Sequence, residues 1–428
     1  MPDPARAPGM TSRLDRIGLL ATLALPPAML HGRVAGELLM GGLIALFFAR
    51  SAVRGDWRWL RTPWLVIGLA WWSWLLLCSL PVWPGRTGDS LAQAAVAGRY
   101  LLLVAALQHW VLRGGAARRW LLRLFDLLAA YLAVHMLAQA VLGTSLYGQP
   151  RWDKGELTGP FDRPRAAAPL GRLLLPVLLR RLGVWPGWAW VGLAGAGVGV
   201  VALAAQRMPL VMLLFSLLVA GLMLPRWRRP LLAGLLAGAL LIAAAAASSP
   251  PVADRLTLFA AQVADFSTTD YGRITTRAAG LVAEHPWTGL GARGFRHVCA
   301  GEPALTGCNQ HPHNHYLEAA TDAGLPGLLL FTALVLAWLA ALARGLGGNR
   351  PDPLRVGLFV AVLGHEWPLA SMANFGAIEF AVPLVLLALG LAEAGGGEHL
   401  ADIAGGVDAQ SVPAVPERVE QQAPGRLG

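Results

Sequence analysis

Apolar residues run along this chain in long blocks separated by short polar breaks. Runs lie near 17–31, 36–50, 63–82, 91–112, 119–142, 166–181, 184–205, 208–225, 230–248, 325–343, 355–371 and 375–393. Most approach or exceed the roughly 18 apolar residues that cross a hydrocarbon core about 30 Å thick. Inside lipid a helix satisfies its own backbone, so the pattern predicts about twelve transmembrane helices and an all-α polytopic membrane protein. The polar stretch Met1–Arg16 followed by the run 17–31 imitates a signal peptide, but the further spans make it an uncleaved first helix. The segment 394–428 carries Gly, Pro and Gln with no apolar run and is expected to be a disordered tail. The transmembrane unit is expected to occupy 1–393.

Composition agrees with the pattern. Of 428 residues 55% are hydrophobic and 14% charged, with a mean hydropathy of +0.52. The formal charge of +10 rests almost wholly on arginine, Lys154 being the one lysine. Nucleic acid is not the expected partner, because the arginines sit in short breaks between spans, where they report topology. Arg6, Arg13 and Arg16 start an alternation carried on by Arg50, Arg54, Arg58 and Arg61, by Arg113, Arg118 and Arg119, by Arg180 and Arg181, by Arg226, Arg228 and Arg229, and by Arg344 and Arg350. Counting these as cytoplasmic puts both termini inside.

Two outer segments, 143–165 and 249–323, are then unusually long. They hold Arg151, Lys154, Arg163, Arg165, Arg255, Arg273, Arg277, Arg293 and Arg296, and Arg207 starts the eighth span on the same side. Each alone reads as a solvated loop residue. As a group they suggest an anion held at the outer surface, since guanidinium binds phosphate oxygens bidentately and stays charged. Cys299 and Cys308 share the second segment, and an oxidising outer compartment would let them pair. Cys78, within the third span, reads as packing.

The chemistry concentrates in His311-Pro312-His313-Asn314-His315-Tyr316-Leu317-Glu318, continuing through Asp322 and Gly324 to Gly327. Pro312 disfavours helix at His311, and an amphipathic surface helix is expected from about His313 to Gly324. Three readings stay open: a metal site, polar packing, or a general base, for which imidazole is suited near neutral pH. Polar groups within the spans (Arg99, Asp126, His135, Arg172, His365, Glu366 and Glu379) keep a lipid-linked glycan transporter as a reading of another class.

His313-Asn314, nine residues, Gly324, two residues, Gly327 resembles the signature of the lipopolysaccharide O-antigen ligases, within the O-antigen ligase/polymerase superfamily. Tyr271-Gly272-Arg273 through Arg277, Glu284-His285-Pro286-Trp287-Thr288-Gly289-Leu290-Gly291, and Arg207 are also similar to that family. The resemblance implies a membrane-embedded, GT-C-like glycosyltransferase in a Gram-negative inner membrane with its site facing the periplasm. It implies transfer of O-antigen from undecaprenyl diphosphate to a hydroxyl of lipid A–core, without metal or other cofactor and with inversion. His313 would be the base. Arg207, Arg273, Arg277 and Arg293 would bind the diphosphate, with Asn314, His311, His315 and Glu318 supporting. An O-antigen polymerase and a protein O-oligosaccharyltransferase are the alternatives within the same superfamily.

Overall fold

The computed structural model describes residues 8–82, 86, 88–152, 155–248, 253–254, 257, 269–299, 311–348, 350–370 and 381–405. Among these the chain is helical and carries no strand. The helices are α1 Pro8–His31, α2 Arg33–Arg54, α3 Pro63–Cys78, α4 Gly88–Ala97, α5 Arg99–His109, α6 Gly115–Leu142, α7 Ala167–Leu179, α8 Gly187–Leu203, α9 Arg207–Met223 and α10 Arg228–Ser248. Then come α11 Asp270–Glu284, α12 Gly294–Cys299, α13 His315–Ala343, α14 Pro353–His365 and α15 Ala381–Gly405. Within the described residues each apolar run coincides with a helix or, for 91–112, with α4 and α5 joined at Gly98; the start of the run 375–393 lies outside them. Among the described residues five segments are long and apolar enough to cross a membrane: 33–54, 88–113, 115–142, 225–248 and 315–343. α3, α7, α8, α9 and α14 are shorter apolar helices. α15 runs on to Gly405, beyond the expected start of the tail at 394. The rest of the expected tail lies outside the described residues, as do Lys154, Arg255, Cys308 and Glu379.

Small residues bring the helices together. α8 and α10 cross where Gly238 faces Val198, so closely that a Cβ on Gly238 would lie 2.6 Å from the valine Cγ1. α3 and α13 pair antiparallel through aromatics. The Trp64 and Trp338 rings are 6.3 Å apart, and those of Trp71 and Phe331 are 5.7 Å apart. Most polar groups within the spans are matched. Arg99 grips both oxygens of Glu37 at 3.0 Å, and Asp126 is held by Arg180 and, at 2.9 Å, by Arg181. His135 packs its ring against Tyr131 and Tyr147.

α13 breaks at Ala323 and Gly324, the latter with φ 67° and ψ −169°. The freed backbone groups find partners elsewhere. Trp74 donates its indole N–H to the Ala323 carbonyl at 2.9 Å, and the Leu325 N–H donates to Pro286 at 2.7 Å. Leu290 and Gly291 donate to the Thr321 and Asp322 carbonyls at 2.7 and 2.9 Å. Pro326, lacking an N–H, fits the first turn of the second half. The break at Gly324 is where the sequence puts it. The first half of α13 is not a surface helix, however: Glu318 through Gly324 are all buried. The run Ala319, Ala320, Ala323 and Gly324 is small enough for the 286–293 loop and α3 to close over both sides.

Candidate active site

α11 forms because Thr269 caps it, its hydroxyl accepting from the Gly272 N–H at 3.1 Å. Ile274, Ala278 and Leu281 repeat at helical spacing and bury one face with Phe295 and Cys299, against Leu317 of α13. That contact sets α11 beside the start of α13 and brings Tyr271 edge-on to His313, ring centres 5.2 Å apart.

His313 has φ +56°, a left-handed conformation uncommon for a residue with a side chain. Its neighbours hold it there. The His313 N–H donates to Nδ1 of His311 at 3.1 Å, and the two rings lie 4.3 Å apart. Accepting through Nδ1 leaves the proton of neutral His311 on Nε2. Burial, reinforced by the charges of His313 and His315, pushes His311 down to about 3. Burial also lowers His313 below its ordinary 6.5. His313 is therefore a neutral imidazole at neutral pH, half-buried, able to take a proton.

The other expected residues take different places. Asn314 caps α13: its Oδ1 accepts from the Tyr316 and Leu317 N–H groups, both at 3.0 Å, and its Nδ2 donates to the Pro368 carbonyl. Tyr316 donates its hydroxyl to the Glu366 carbonyl at 2.7 Å, so the turn after α14 is tied to this cap. His315 and Glu318 are buried, 2% and 4% exposed, and point away from open solvent.

Arg273 is exposed on α11, and its side chain makes no hydrogen bond or ion pair among the described residues. Arg277, one turn on, is bound by Glu284 at 2.9 Å. Arg293 sits at φ +61° with its N–H donating to Asp322 Oδ2 at 3.3 Å, and feels Asp89, Arg33 and Glu318. Arg207 opens α9, free of side-chain hydrogen bonds and ion pairs among the described residues. No direct contact joins it to His313. The 143–165 segment reaches its end of the bundle, with Gln206 donating to Leu157 at 3.2 Å. The α1–α2 turn links both outer segments: the His31 ring packs tilted against Phe161, centres 5.3 Å apart, and Arg33 lies near Arg293. Cys299 is half of a disulfide, and Cys308 lies outside the described residues.

Sequence reasoning missed two supports. Arg86 donates to the Gly289 carbonyl and, at 3.3 Å, to Cys78, clasping the loop that wraps the α13 break. Behind His313, Glu366 stands between His315, 3.6 Å away, and His365, 3.7 Å away. These three could hold a metal ion. Arg172 faces the same carboxylate. Its guanidinium already supplies the positive charge that Glu366 needs, so a buried divalent cation would add charge without compensation. His365, Glu366 and Arg172 were legible as polar residues within spans, but only folding joins them to His315.

Residues 192–332, from within α8 to within α13, match a family model described as O-antigen ligase. The matched stretch holds Arg207, Arg273, Arg277, Arg293 and His313, and it accounts for the resemblance read from the His-Asn-Gly-Gly signature. A comparison with curated proteins finds no match.

Proposed function

From the premise that this chain carries an O-antigen ligase domain, we propose that it transfers O-antigen polysaccharide from undecaprenyl diphosphate to a hydroxyl of lipid A–core. The observation that carries the reading is His313: an uncharged imidazole held in a strained conformation between His311 and Tyr271, beside the helix bearing Arg273. Strain of this kind costs of order 1–3 kcal/mol and is commonly kept where a group must be positioned.

In the proposed step the acceptor oxygen attacks the anomeric carbon as His313 takes its proton. The carbon–oxygen bond to the carrier breaks, and undecaprenyl diphosphate leaves with the bonding electrons. Attack opposite the leaving group inverts the anomeric centre. Negative charge grows on the diphosphate, and Arg273 is the side chain best disposed to meet it, with Arg207 and Arg293 as further candidates. Arg277 is the weakest of the four, because Glu284 already neutralises it. Asn314 positions rather than reacts, by fixing where α13 begins. The periplasmic face of a Gram-negative inner membrane is the setting this reaction requires, and neither nucleotide nor metal enters it.

The test is reconstitution with an undecaprenyl diphosphate-linked glycan and lipid A–core, in the presence of chelator and without nucleotide. Ligated lipopolysaccharide is expected. Extension of the lipid-linked glycan in place of ligation would make the chain a polymerase, and no transfer to either acceptor would overturn the reading.

A further inference from the structure

α13 is 29 residues long, and its far end lies across the bundle from His313. There the last turn of α2, the 3-10 turn Arg58–Arg61, the end of α5, the start of α6 and the end of α13 surround a cavity of about 800 Å³. Its wall carries Arg54, Arg58, Arg61, Arg113, Arg118 and Arg344, with Asp56 among them. Two carboxylates join from outside the wall: Asp15 lies 3.5 Å from Arg54, and Glu393 lies 3.2 Å from Arg118. Six guanidiniums against three carboxylates leave a formal excess of three positive charges. The side chains of Arg58, Arg61 and Arg113 make no hydrogen bond or ion pair among the described residues.

Membrane topology accounts for arginines at this end of the helices. It does not account for their convergence, from three separate stretches of chain (54–61, 113–118 and 344), on one hollow. Spread around the rim, the same residues would serve topology with less mutual repulsion. A hollow of this volume lies within the range of ligand sites, roughly 300–1,000 Å³. The exposed Trp57 and Leu60 flank it on the 3-10 turn region, a placement that suits the interfacial layer of a bilayer. Guanidinium forks match phosphate oxygens in pairs, and a basic pocket between membrane helices is suited to a phospholipid headgroup.

We propose that this cavity binds a phosphate-bearing anion, separately from the His313 site. Two sources share the chemistry: the headgroup of an acidic phospholipid, and free diphosphate. In the test, the full-length protein is reconstituted in phosphatidylcholine nanodiscs with and without cardiolipin, and retained lipid is counted by native mass spectrometry. Pyrophosphate is titrated in parallel by calorimetry. Arg58→Gln, Arg61→Gln and Arg113→Gln are compared with Arg228→Gln and Arg229→Gln, which lie outside the cavity wall. Bound cardiolipin or saturable pyrophosphate is expected, weakened about tenfold by each cavity variant and unchanged in the controls. Cardiolipin that resists displacement by pyrophosphate assigns the site to a headgroup; pyrophosphate binding without retained lipid assigns it to a free anion. Where a variant fails to fold, salt titration of the wild type decides, since exposed guanidinium contacts are screened by salt. Affinity for neither probe, or affinity unmoved by salt and by all three cavity variants, would overturn the proposal.

Discussion

At the scale of single residues, His313 combines a left-handed backbone with a lowered proton affinity. Three histidines within five positions were visible in the sequence, and the family resemblance singled out His313, but the places of the other two were not legible. His311 became the acceptor for the His313 N–H, and His315 was drawn behind the site to Glu366. His313→Ala is expected to lose about 10²–10⁴ in transfer rate while the protein still inserts and binds donor. A wild-type rate in the reconstituted assay would rule out the base. Because the pKa of His313 is lowered, the imidazole stays neutral as pH falls to its ordinary 6.5 and becomes protonated only further down. The acid limb of the pH–rate profile should therefore have its midpoint below 6.5 and disappear in the alanine variant. A midpoint above 6.5 would assign that limb to another group.

At the scale of elements, Gly324 of the signature and Gly289 of the upstream family-like segment explain themselves as contacts. A Cβ on Gly324 would lie 2.5 Å from the Trp287 backbone, and one on Gly289 would lie 2.5 Å from the Thr321 carbonyl. The two family-like segments thus interlock, and each glycine makes room for the other segment. Gly324 also adopts φ 67° with ψ −169°, a region essentially closed to side-chain-bearing residues. Gly324→Ala should cost several kcal/mol and leave little folded protein after detergent extraction, read by fluorescence-detected gel filtration; a wild-type elution profile would contradict this packing. α11 supplies a second test. Arg273→Ala should reduce transfer about 10²-fold or more, the cost of losing a donor to developing charge. Arg277→Ala should cost less, since Glu284 already holds that guanidinium. Measured kcat values in the reverse order would move the diphosphate to the other turn of the helix.

At the scale of the whole molecule, the arginine alternation predicts that 143–165 and 249–323 face one side and 50–61 the other. In the fold these stretches meet different ends of the bundle. The α1–α2 turn touches Phe161 and approaches Arg293, whereas Arg54, Arg58 and Arg61 meet Arg344 at the opposite end of α13. Cysteines introduced singly into a Cys78→Ala background, one set in each outer segment and one set in 50–61, should label from the periplasm in the outer segments only. Labelling of 50–61 from that side would invert the topology.

The sequence by itself determined the helices and the signature. A backbone in lipid must satisfy its hydrogen bonds within each span, so the apolar runs become helices whatever their neighbours. Thr269 and Asn314 cap their helices through bonds two or three residues away, and such local chemistry can be read from the chain. Tertiary structure decided the rest, because it depends on residues far apart in sequence. Trp74 reaches the Ala323 carbonyl across 249 positions, and Arg86 reaches Gly289 across 203. Which histidine is strained, which arginine is already paired, and how Glu366 comes to stand between His315 and His365 follow from such long-range contacts. No spacing along the chain encodes them.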